Sequence, residues 1–320
     1  MKICVAGSGA FGTGMAIALA TDGKDVTLLG RDAAVMARIN KTRENPRLPD
    51  RTLPVALALS ADETVIASSD IILICVPAQM LRSYLQTHAT ALASKHLVAC
   101  CKGIDMTTLK GPTAIMQTQV PGATHAILSG PSFAADIAKG LPTALTLACA
   151  DDASGALLQN ALSTQTLRLY RTTDMAGVEL GGALKNVIAI ACGVCEGAKL
   201  GDSARAALLT RGSHEMRQLA TKLGADPQTL AGLAGLGDLA LTCTSHLSRN
   251  YRFGIAVGQG QDFDADITVE GAATAKAVRR LAAELNLDLP ICNVVAALCA
   301  QEISVQEALN TLLSRPLKEE

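Results

Sequence analysis

The chain has 320 residues, which is enough for two domains and a large buried core. Apolar residues make up 49% of it and charged residues only 18%, which excludes a disordered chain. Aromatic residues are 2%, tryptophan is absent and the net charge is −1, so neither a base-stacking surface nor a groove for a polyanion is expected. We therefore expect a globular protein that does not bind nucleic acid.

The N-terminal residues predict a strand, a glycine turn, a helix and a second strand. A β-rich run at Lys2–Ala6 precedes G-S-G-A-F-G at Gly7–Gly12, a small-residue helical stretch at Met15–Ala20 and an apolar run at Val26–Leu29. The spacing G-x-G-x-x-G is weak alone, but between a strand and a helix it is a fairly specific fingerprint of dinucleotide binding.

Each glycine of this motif has its own expected role. Gly7 permits a tight turn, Gly9 lets a pyrophosphate approach the backbone, and Gly12 lets the helix pack on the strand. The helix N-terminus then faces the phosphates. The alternative is a glycine turn that binds no ligand.

The end of the second strand indicates which dinucleotide is preferred. NAD-specific sites usually carry an acidic residue there for the ribose 2′-hydroxyl. Here Gly30 leaves room and Arg31 can face a 2′-phosphate bidentately, which favours NADP. Asp32 keeps NAD open, and a solvated loop charge is the alternative for Arg31.

More strands follow, after a polar, proline-containing segment at 38–54 that predicts a loop or lid. Apolar runs predict strands at Ile71–Val76, Leu97–Cys101, Ala126–Leu128 and Thr143–Ala148. Ligands of such sheets bind at the C-terminal strand ends, where Pro77, Lys102 and Gly130-Pro131-Ser132 lie. A ligand is favoured for Lys102 over a helix-capping role.

After about Thr173 helical patterns replace the strands. Helices are predicted at Val178–Glu196, Ala204–Leu223, Tyr251–Val257, Ala272–Leu285, Val294–Ile303 and Val305–Leu313. The predicted fold class is α/β, with a doubly wound (Rossmann-like) sheet domain at residues 1–175 followed by an all-helical, substrate-binding domain at residues 176–320.

The first of these helices is apolar almost throughout, yet it contains Gly181, Gly182 and Lys185. Each glycine costs a helix interior roughly 1 kcal/mol relative to alanine. We interpret the two glycines as room for a nicotinamide and a substrate against the helix. A lysine in such a helix needs a partner for its charge, unless it extends to water.

A carboxylate in the glycine-rich, apolar run Gly232–Leu239 is the candidate partner. Hydride transfer to a carbonyl needs a proton donor at the forming alkoxide, and Lys185 can be that donor with Asp238 orienting it. No metal-ligand spacing and no serine–histidine arrangement are evident in the sequence.

Ser248-Arg249-Asn250 precedes a helix, with Ser248 as the expected N-cap. A helix N-terminus with an arginine and an asparagine can bind a phosphate, although ordinary capping is the alternative. Together with the dinucleotide motif, these residues predict a reductase that acts on a small phosphorylated ketone.

Nearly all ten cysteines lie in apolar segments, as expected of reduced thiols in a cytoplasmic protein. The spacing Cys192-Gly-Val-Cys195 resembles a redox motif, but we favour a structural role. The longest uncharged run, near Val187–Cys195, is too short for a membrane span.

Several long motifs resemble those of bacterial NAD(P)-dependent sn-glycerol-3-phosphate dehydrogenases, and together they cover nearly the whole chain. They are G-P-S-F-A at 130–134, V-E-L-G-G-A-L-K-N at 178–186, G-L-G-D-L at 235–239, S-R-N at 248–250, V-E-G at 269–271 and L-S-R-P-L-K at 313–318. The resemblance implies interconversion of dihydroxyacetone phosphate and sn-glycerol 3-phosphate in the cytoplasm, for phospholipid synthesis.

The resemblance also implies roles for individual residues. Lys185 matches the family's catalytic lysine and Asp238 its partner aspartate. Positions that match substrate contacts are Lys102, Gly130, Ser132, Ser248, Arg249 and Asn250. Positions that match the neighbourhood of the cofactor are Ala10, Phe11, Arg31, Lys102, Ala134, Arg249, Thr268 and Glu270. Ala10 stands where serine is frequent, so a hydroxyl contact to the phosphate is missing there, and Thr268 stands where valine is frequent.

Three matters stay open on the sequence alone. Another β-hydroxyacid-type dehydrogenase, or a non-catalytic dinucleotide sensor, could carry a similar fold. Glu270 could be only a first-turn acid of its helix. A homodimer is compatible with the sequence and is not required by it.

Overall fold

The computed structural model describes residues 1–265 and 267–316. The chain forms two compact units: the first comprises Met1–Lys102 and Gly111–Glu179, and the second comprises Gly103–Lys110 and the chain from Leu180 onward. Leu317 and Lys318 of the C-terminal motif lie outside the described residues.

The first unit contains a mixed sheet and a short hairpin. Its strands are β1 (Lys2–Ala6), β2 (Asp25–Leu29), β3 (Glu44–Asn45), β4 (Leu48–Thr52), β5 (Ala58–Ser60), β6 (Ile71–Ile74), β7 (His96–Ala99), β8 (Thr124–Ser129), β9 (Thr143–Cys149) and β10 (Leu167–Thr172). Eight of them form one sheet in the order β10-β9-β8-β7-β6-β1-β2-β5. All neighbours in it are parallel except β8 and β9.

The helices of this unit are α1 (Ala10–Thr21), α2 (Ala33–Thr42), α3 (Thr64–Ser68), α4 (Leu81–Leu92), α5 (Pro112–Gln119), α6 (Ala134–Ala138) and α7 (Asp152–Leu162). The core is aliphatic and lies around the sheet, because strands such as Ile71–Ile74 are buried at every residue. The chain leaves β1 towards β2 on one side and returns at β6 on the other. The strand order therefore reverses beside β1, which is where doubly wound sheets bind their ligands.

The prediction of a loop or lid at 38–54 was wrong in detail. Helix α2 continues to Thr42, and the antiparallel hairpin of β3 and β4 follows it. Besides the two hairpin strands, two strands of the large sheet were not predicted. β5 has only three residues, and β10 alternates buried and exposed side chains, so neither shows a continuous apolar run.

Apart from the segment Gly103–Lys110, the second unit is made of helices, the first of which is α8 (Met175–Gly197), from Leu180 onward. The others are α9 (Asp202–Lys222), α10 (Pro227–Ala231), α11 (Asp238–Cys243), α12 (Arg249–Gln259), α13 (Glu270–Glu284), α14 (Pro290–Cys299) and α15 (Val305–Leu313). A π-helical turn at Leu233–Gly237 joins α10 to α11. The predicted fold class, a doubly wound sheet followed by helices, is confirmed.

Helix α8 is long and apolar enough to cross a membrane by length and composition, which the uncharged run at Val187–Cys195 had not suggested. Its most apolar window of 18 residues is, however, entirely buried within the protein. That burial is what a core helix shows.

Two helices that begin with proline are capped by glutamates from distant parts of the chain. Glu179 accepts hydrogen bonds from the backbone N–H of Thr113 in α5 (2.6 Å) and from its hydroxyl (2.7 Å). In the second unit Glu215 accepts from the N–H groups of Ile291 (2.7 Å) and Cys292 (3.0 Å) in α14. Burial raises the pKa of both glutamates, although these hydrogen bonds partly oppose the rise.

All ten cysteines are free thiols, and eight of them are buried. Burial raises the pKa of the Cys4 thiol to about 12 and that of Cys299 to about 11. A buried thiol held in its neutral form is a poor nucleophile.

Candidate active site

The glycine turn of the first unit has the geometry that a dinucleotide phosphate site needs. Gly7 has a φ of +124°, and a Cβ there would lie 2.7 Å from the carbonyl oxygen of Cys75. A Cβ at Gly12 would lie 2.1 Å from the carbonyl oxygen of Gly7, so only glycine allows α1 to start this close to the strand. Around Gly9 the space is open, which leaves its backbone accessible to a ligand.

The N-terminus of α1 fits the same group. Gly9 is the N-cap and provides no side chain for the first-turn N–H groups of the helix. These donors and the helix dipole favour an anion such as a pyrophosphate. A bound dinucleotide would therefore be held at Gly7, Gly9 and Gly12 by backbone rather than by side chains.

Asn45 holds this turn and was missed by the sequence reasoning, which assigned its segment to a loop. It is buried, and its Nδ2 donates to the carbonyl oxygen of Ser8 (3.0 Å) and to the hydroxyl of Thr13 (2.7 Å). The hairpin of β3 and β4 is thereby joined to the glycine turn. A single asparagine in a polar segment gives no sequence signal for such a role.

The end of β2 differs in one respect from the expectation. A Cβ on Gly30 would lie 2.3 Å from the sulfur of Met36 and 2.9 Å from the hydroxyl of Ser8, so this glycine makes room for the protein itself. Asp32 caps α2 by accepting from the N–H of Val35 (3.0 Å). Arg31 is exposed beside it.

Three residues predicted at the C-terminal strand ends come together. The Nζ of Lys102, just after β7, donates to the carbonyl oxygen of Gly130 at 3.3 Å. The hydroxyl of Ser132 donates to the same oxygen at 3.1 Å. Gly130 has a φ of +144°, a conformation that disfavours any residue with a side chain.

Three of the predicted cofactor neighbours are small or apolar. Ala10 and Phe11, in the first turn of α1, and Ala134, at the start of α6, pack against the hydrophobic core of the first unit. Helix α6 lies close to α1, since a Cβ on Gly14 would be 2.8 Å from the carbonyl oxygen of Ala134.

In the second unit, Lys185 and Asp238 form a buried ion pair. The Nζ of Lys185 lies 2.7 Å from Oδ1 of Asp238 and 2.7 Å from the hydroxyl oxygen of Thr242. Lys185 is only 8% exposed and Asp238 only 1%. The lysine does not extend into water, so the alternative of a solvated lysine is wrong.

Thr242 was not predicted, although a sequence signal for it existed. It follows Asp238 by four residues, which places both side chains on one face of α11. The hydroxyl of Thr242 also lies 3.2 Å from Oδ1 of Asp238, so lysine, aspartate and threonine form one network.

The π-helical turn explains Gly181 differently from our expectation. A hydrogen bond from the N–H of Gly237 to the carbonyl oxygen of Gly232 (3.1 Å) closes the backbone of this turn, and Asp238 follows directly. A Cβ on Gly181 would lie 2.5 Å from the carbonyl oxygen of Ala234 in this turn. Gly181 therefore makes room for the backbone that carries Asp238, and the interpretation as room for a ligand was wrong for this glycine.

At the start of α12, Ser248 is the N-cap as predicted, and its hydroxyl accepts from the N–H of Tyr251 (3.2 Å). Arg249 is exposed on the first turn. Asn250 is buried and joins two other elements. Its Nδ2 donates to Oδ1 of Asn186 (2.9 Å), and its Oδ1 accepts from the N–H of Gly271 (2.9 Å).

The last two predicted residues lie near α13. Thr268 is exposed and precedes the helix, and Glu270 is half-buried as its first residue. Across residues 1–265 and 267–316, no group of three or more histidine, cysteine, aspartate or glutamate side chains could hold a metal ion.

Two family models, one for each half of the chain, together match nearly all of it. The one described as NAD-dependent glycerol-3-phosphate dehydrogenase N-terminus matches residues 2–155, and the corresponding C-terminus matches residues 174–310. Among curated proteins, glycerol-3-phosphate dehydrogenase [NAD(P)+] of Ruegeria sp. (strain TM1040) is 56% identical, and that of Paracoccus denitrificans (strain Pd 1222) is 55% identical. Both alignments cover 100% of each chain.

Solved structures give the same result. The crystal structure of glycerol-3-phosphate dehydrogenase from Coxiella burnetii matches with a TM-score of 0.93 at 34% identity, over 98% of this chain and 99% of that one. A D-mandelate dehydrogenase matches with a TM-score of 0.66 at 15% identity, over 97% of this chain and 100% of that one, which shows a shared fold and nothing more.

Proposed function

The chain belongs to the NAD-dependent glycerol-3-phosphate dehydrogenase family, and from this premise we propose that it interconverts dihydroxyacetone phosphate and sn-glycerol 3-phosphate. The observation that carries the proposal is the buried network of Lys185, Asp238 and Thr242. It provides a positioned ammonium in a setting from which water is largely excluded, as reduction of a carbonyl requires.

The residues of the chain act on the proton side of this reaction. When bound, the reduced nicotinamide supplies a hydride to the carbonyl carbon. Lys185 then donates a proton from Nζ to the carbonyl oxygen, which becomes the hydroxyl of the product. Asp238 balances the charge of the ammonium, and both partners fix the direction of Nζ. In the reverse direction the amine accepts the hydroxyl proton.

We assign phosphate recognition to the start of α12. Arg249 brings a charged guanidinium, and the helix N-terminus adds its dipole and backbone N–H groups. Ser248 and Asn250 shape this turn through the hydrogen bonds that they already make. In the first unit, Lys102, Gly130 and Ser132 are proposed as further substrate contacts.

For the cofactor we propose NADP or NAD, with NADP favoured. Because the carboxylate of Asp32 caps α2, Arg31 is the better candidate to meet a ribose 2′-phosphate. The remaining proposed cofactor contacts are Gly7, Gly9, Ala10, Phe11, Gly12, Lys102, Ala134, Arg249, Thr268 and Glu270. Steady-state rates with both cofactors, for the wild type and for Arg31→Ala, test the preference. We expect the variant to lose affinity for NADPH and to keep its KM for NADH.

The activity itself is tested by the oxidation of NADPH or NADH in the presence of dihydroxyacetone phosphate. We expect turnover by the purified protein and far weaker turnover of unphosphorylated dihydroxyacetone. Binding of the dinucleotide without turnover of either ketone would instead favour a sensor.

We further propose a cytoplasmic location and a supply of glycerol phosphate to phospholipid synthesis. The proposed oligomer is a homodimer, which light scattering tests.

A further inference from the structure

Helices α8 and α12 of the second unit are packed at unusually close range. Four glycines make this possible, since a Cβ on any of them would lie 2.2–2.4 Å from a carbonyl oxygen of the other helix: Gly193, Gly197, Gly254 and Gly258. The two pairs have the spacing G-x-x-x-G, which puts each pair on one helix face. A helix held by backbone contacts of this kind cannot shift sideways without a clash.

The contact also joins two parts of the proposed site. Asn186, the neighbour of Lys185 on α8, accepts the hydrogen bond from Asn250 in the first turn of α12. Arg249 precedes Asn250. The position of α12 along α8 therefore sets the spacing between the proposed proton donor and the proposed phosphate site.

Tyr251 fixes that position by a hydrogen-bond network. Its side chain is fully buried, and its hydroxyl donates to Oε2 of Glu196 on α8 and accepts from NH1 of Arg205 on α9 (3.0 Å). Arg205 also donates to Oε2 of Glu196 (3.0 Å), and Nε2 of His246 lies 3.2 Å from Oε1 of the same carboxylate.

The phenol remains protonated at neutral pH. Burial, and then the hydrogen bond to the Glu196 carboxylate, raise the pKa of Tyr251 to about 12. The hydroxyl can therefore donate to the carboxylate throughout the working range of an enzyme. A hydrogen bond to a charged acceptor is among the stronger polar contacts in proteins.

We infer that Tyr251 is a positioning residue: it holds the first turn of α12, and with it Arg249, at the place along α8 where a phosphorylated ketone also reaches Lys185. This inference rests on the proposed function. It goes beyond it by assigning a role in phosphate recognition to Glu196, Arg205 and Tyr251, of which none needs to touch the substrate.

The test is Tyr251→Phe, which removes the hydroxyl and keeps the ring. We expect the KM for dihydroxyacetone phosphate to rise roughly tenfold, as for the loss of one charge-assisted hydrogen bond. We expect kcat, and kcat/KM for unphosphorylated dihydroxyacetone, to stay at their wild-type values. The KM for NADPH is also measured, and we expect a smaller rise in it because Arg249 is also a proposed cofactor contact. Thermal melting of the variant is recorded alongside.

Tyr84→Phe is the matched control. The hydroxyl of Tyr84 is also buried, but it has no hydrogen-bond partner within residues 1–265 and 267–316. Its removal should leave all four kinetic values unchanged. Should Tyr251→Phe fold poorly, Glu196→Gln and Glu196→Ala give the same test. Because glutamine keeps an acceptor oxygen, the KM for dihydroxyacetone phosphate should rise much less in Glu196→Gln than in Glu196→Ala.

Equal losses on both ketones would overturn the inference, since they would show a general structural role, and so would an unchanged KM for dihydroxyacetone phosphate. A wild-type protein that does not turn over dihydroxyacetone phosphate would refute the proposed function itself, and the inference with it. The two failures are therefore distinguished by the wild-type assay.

Discussion

Asp238 and Glu215 are both buried carboxylates of the helical unit, but their partners differ. Asp238 faces the ammonium of Lys185 and the hydroxyl of Thr242. Glu215 accepts from the backbone N–H groups of Ile291 and Cys292 at the start of α14, and the Cys292 thiol also lies against it. In the sheet unit, Glu179 likewise caps α5, where it accepts from the backbone N–H and the hydroxyl of Thr113.

The difference distinguishes a carboxylate that can support proton transfer from carboxylates that only cap helices. A helix N-terminus offers fixed donors that cannot give up a proton, so a carboxylate placed there only fastens one helix to another. A lysine offers a proton that can be transferred. Burial alone therefore does not distinguish the proposed catalytic carboxylate from the capping ones, whereas a partner that can transfer a proton does.

Among changes to these three carboxylates, the largest effect is expected from exchanging Asp238 for its amide. Asp238→Asn removes the charge that faces Lys185, and we expect kcat to fall on the order of 10²-fold, the scale of a lost acid–base contribution. The measurement is steady-state oxidation of NADPH with dihydroxyacetone phosphate.

Glu215→Gln is the control for this experiment, because it makes the same chemical change at a cap. Its kcat should stay near the wild-type value once the folded fraction is taken into account. Similar losses in both variants would break the distinction between the two kinds of carboxylate.

A smaller effect is expected on stability. Glu215→Ala leaves two backbone N–H groups without their acceptor, and Glu179→Ala leaves one N–H and one hydroxyl. We expect each variant to lower the free energy of unfolding by about 1–3 kcal/mol. Urea denaturation followed by circular dichroism measures this change. Variants as stable as the wild type would show that these caps do not hold the helices.

The smallest effect is a slope with pH. The pKa of Glu179 and of Glu215 lies above the ordinary value of 4.5 in the folded protein. The folded state therefore holds these protons more tightly than the unfolded state, so their contribution is fully present below pH 4.5 and is lost as the pH rises through the folded pKa. Replacing both by glutamine should flatten this part of the stability curve; an unchanged slope would assign it to other groups.

The sequence predicted those features that depend on local pattern. The buried strands β1, β2, β6, β7, β8 and β9 were found, because buried strands of a parallel sheet appear as continuous apolar runs. A lone lysine and a lone aspartate in apolar surroundings were likewise expected to pair, because each is costly to bury alone.

The sequence could not show contacts that only the folded chain creates. Glu179 and Thr113 are 66 residues apart, and Glu215 and Ile291 are 76 apart. Asn45 lies in a segment that we assigned to a loop, and no periodicity marks it. Gly181 was recognised as unusual, but the backbone that approaches it belongs to a π-helical turn, which is too rare to be expected from sequence.

The central claim is that Lys185 donates the proton, and rescue of Lys185→Ala by small primary amines tests it most directly. We expect this variant to lose turnover and to keep dinucleotide binding, measured by quenching or enhancement of NADPH fluorescence. Added methylamine should occupy the space beside Asp238 and restore turnover in proportion to its concentration. Near-normal turnover of Lys185→Ala without any amine would contradict the claim.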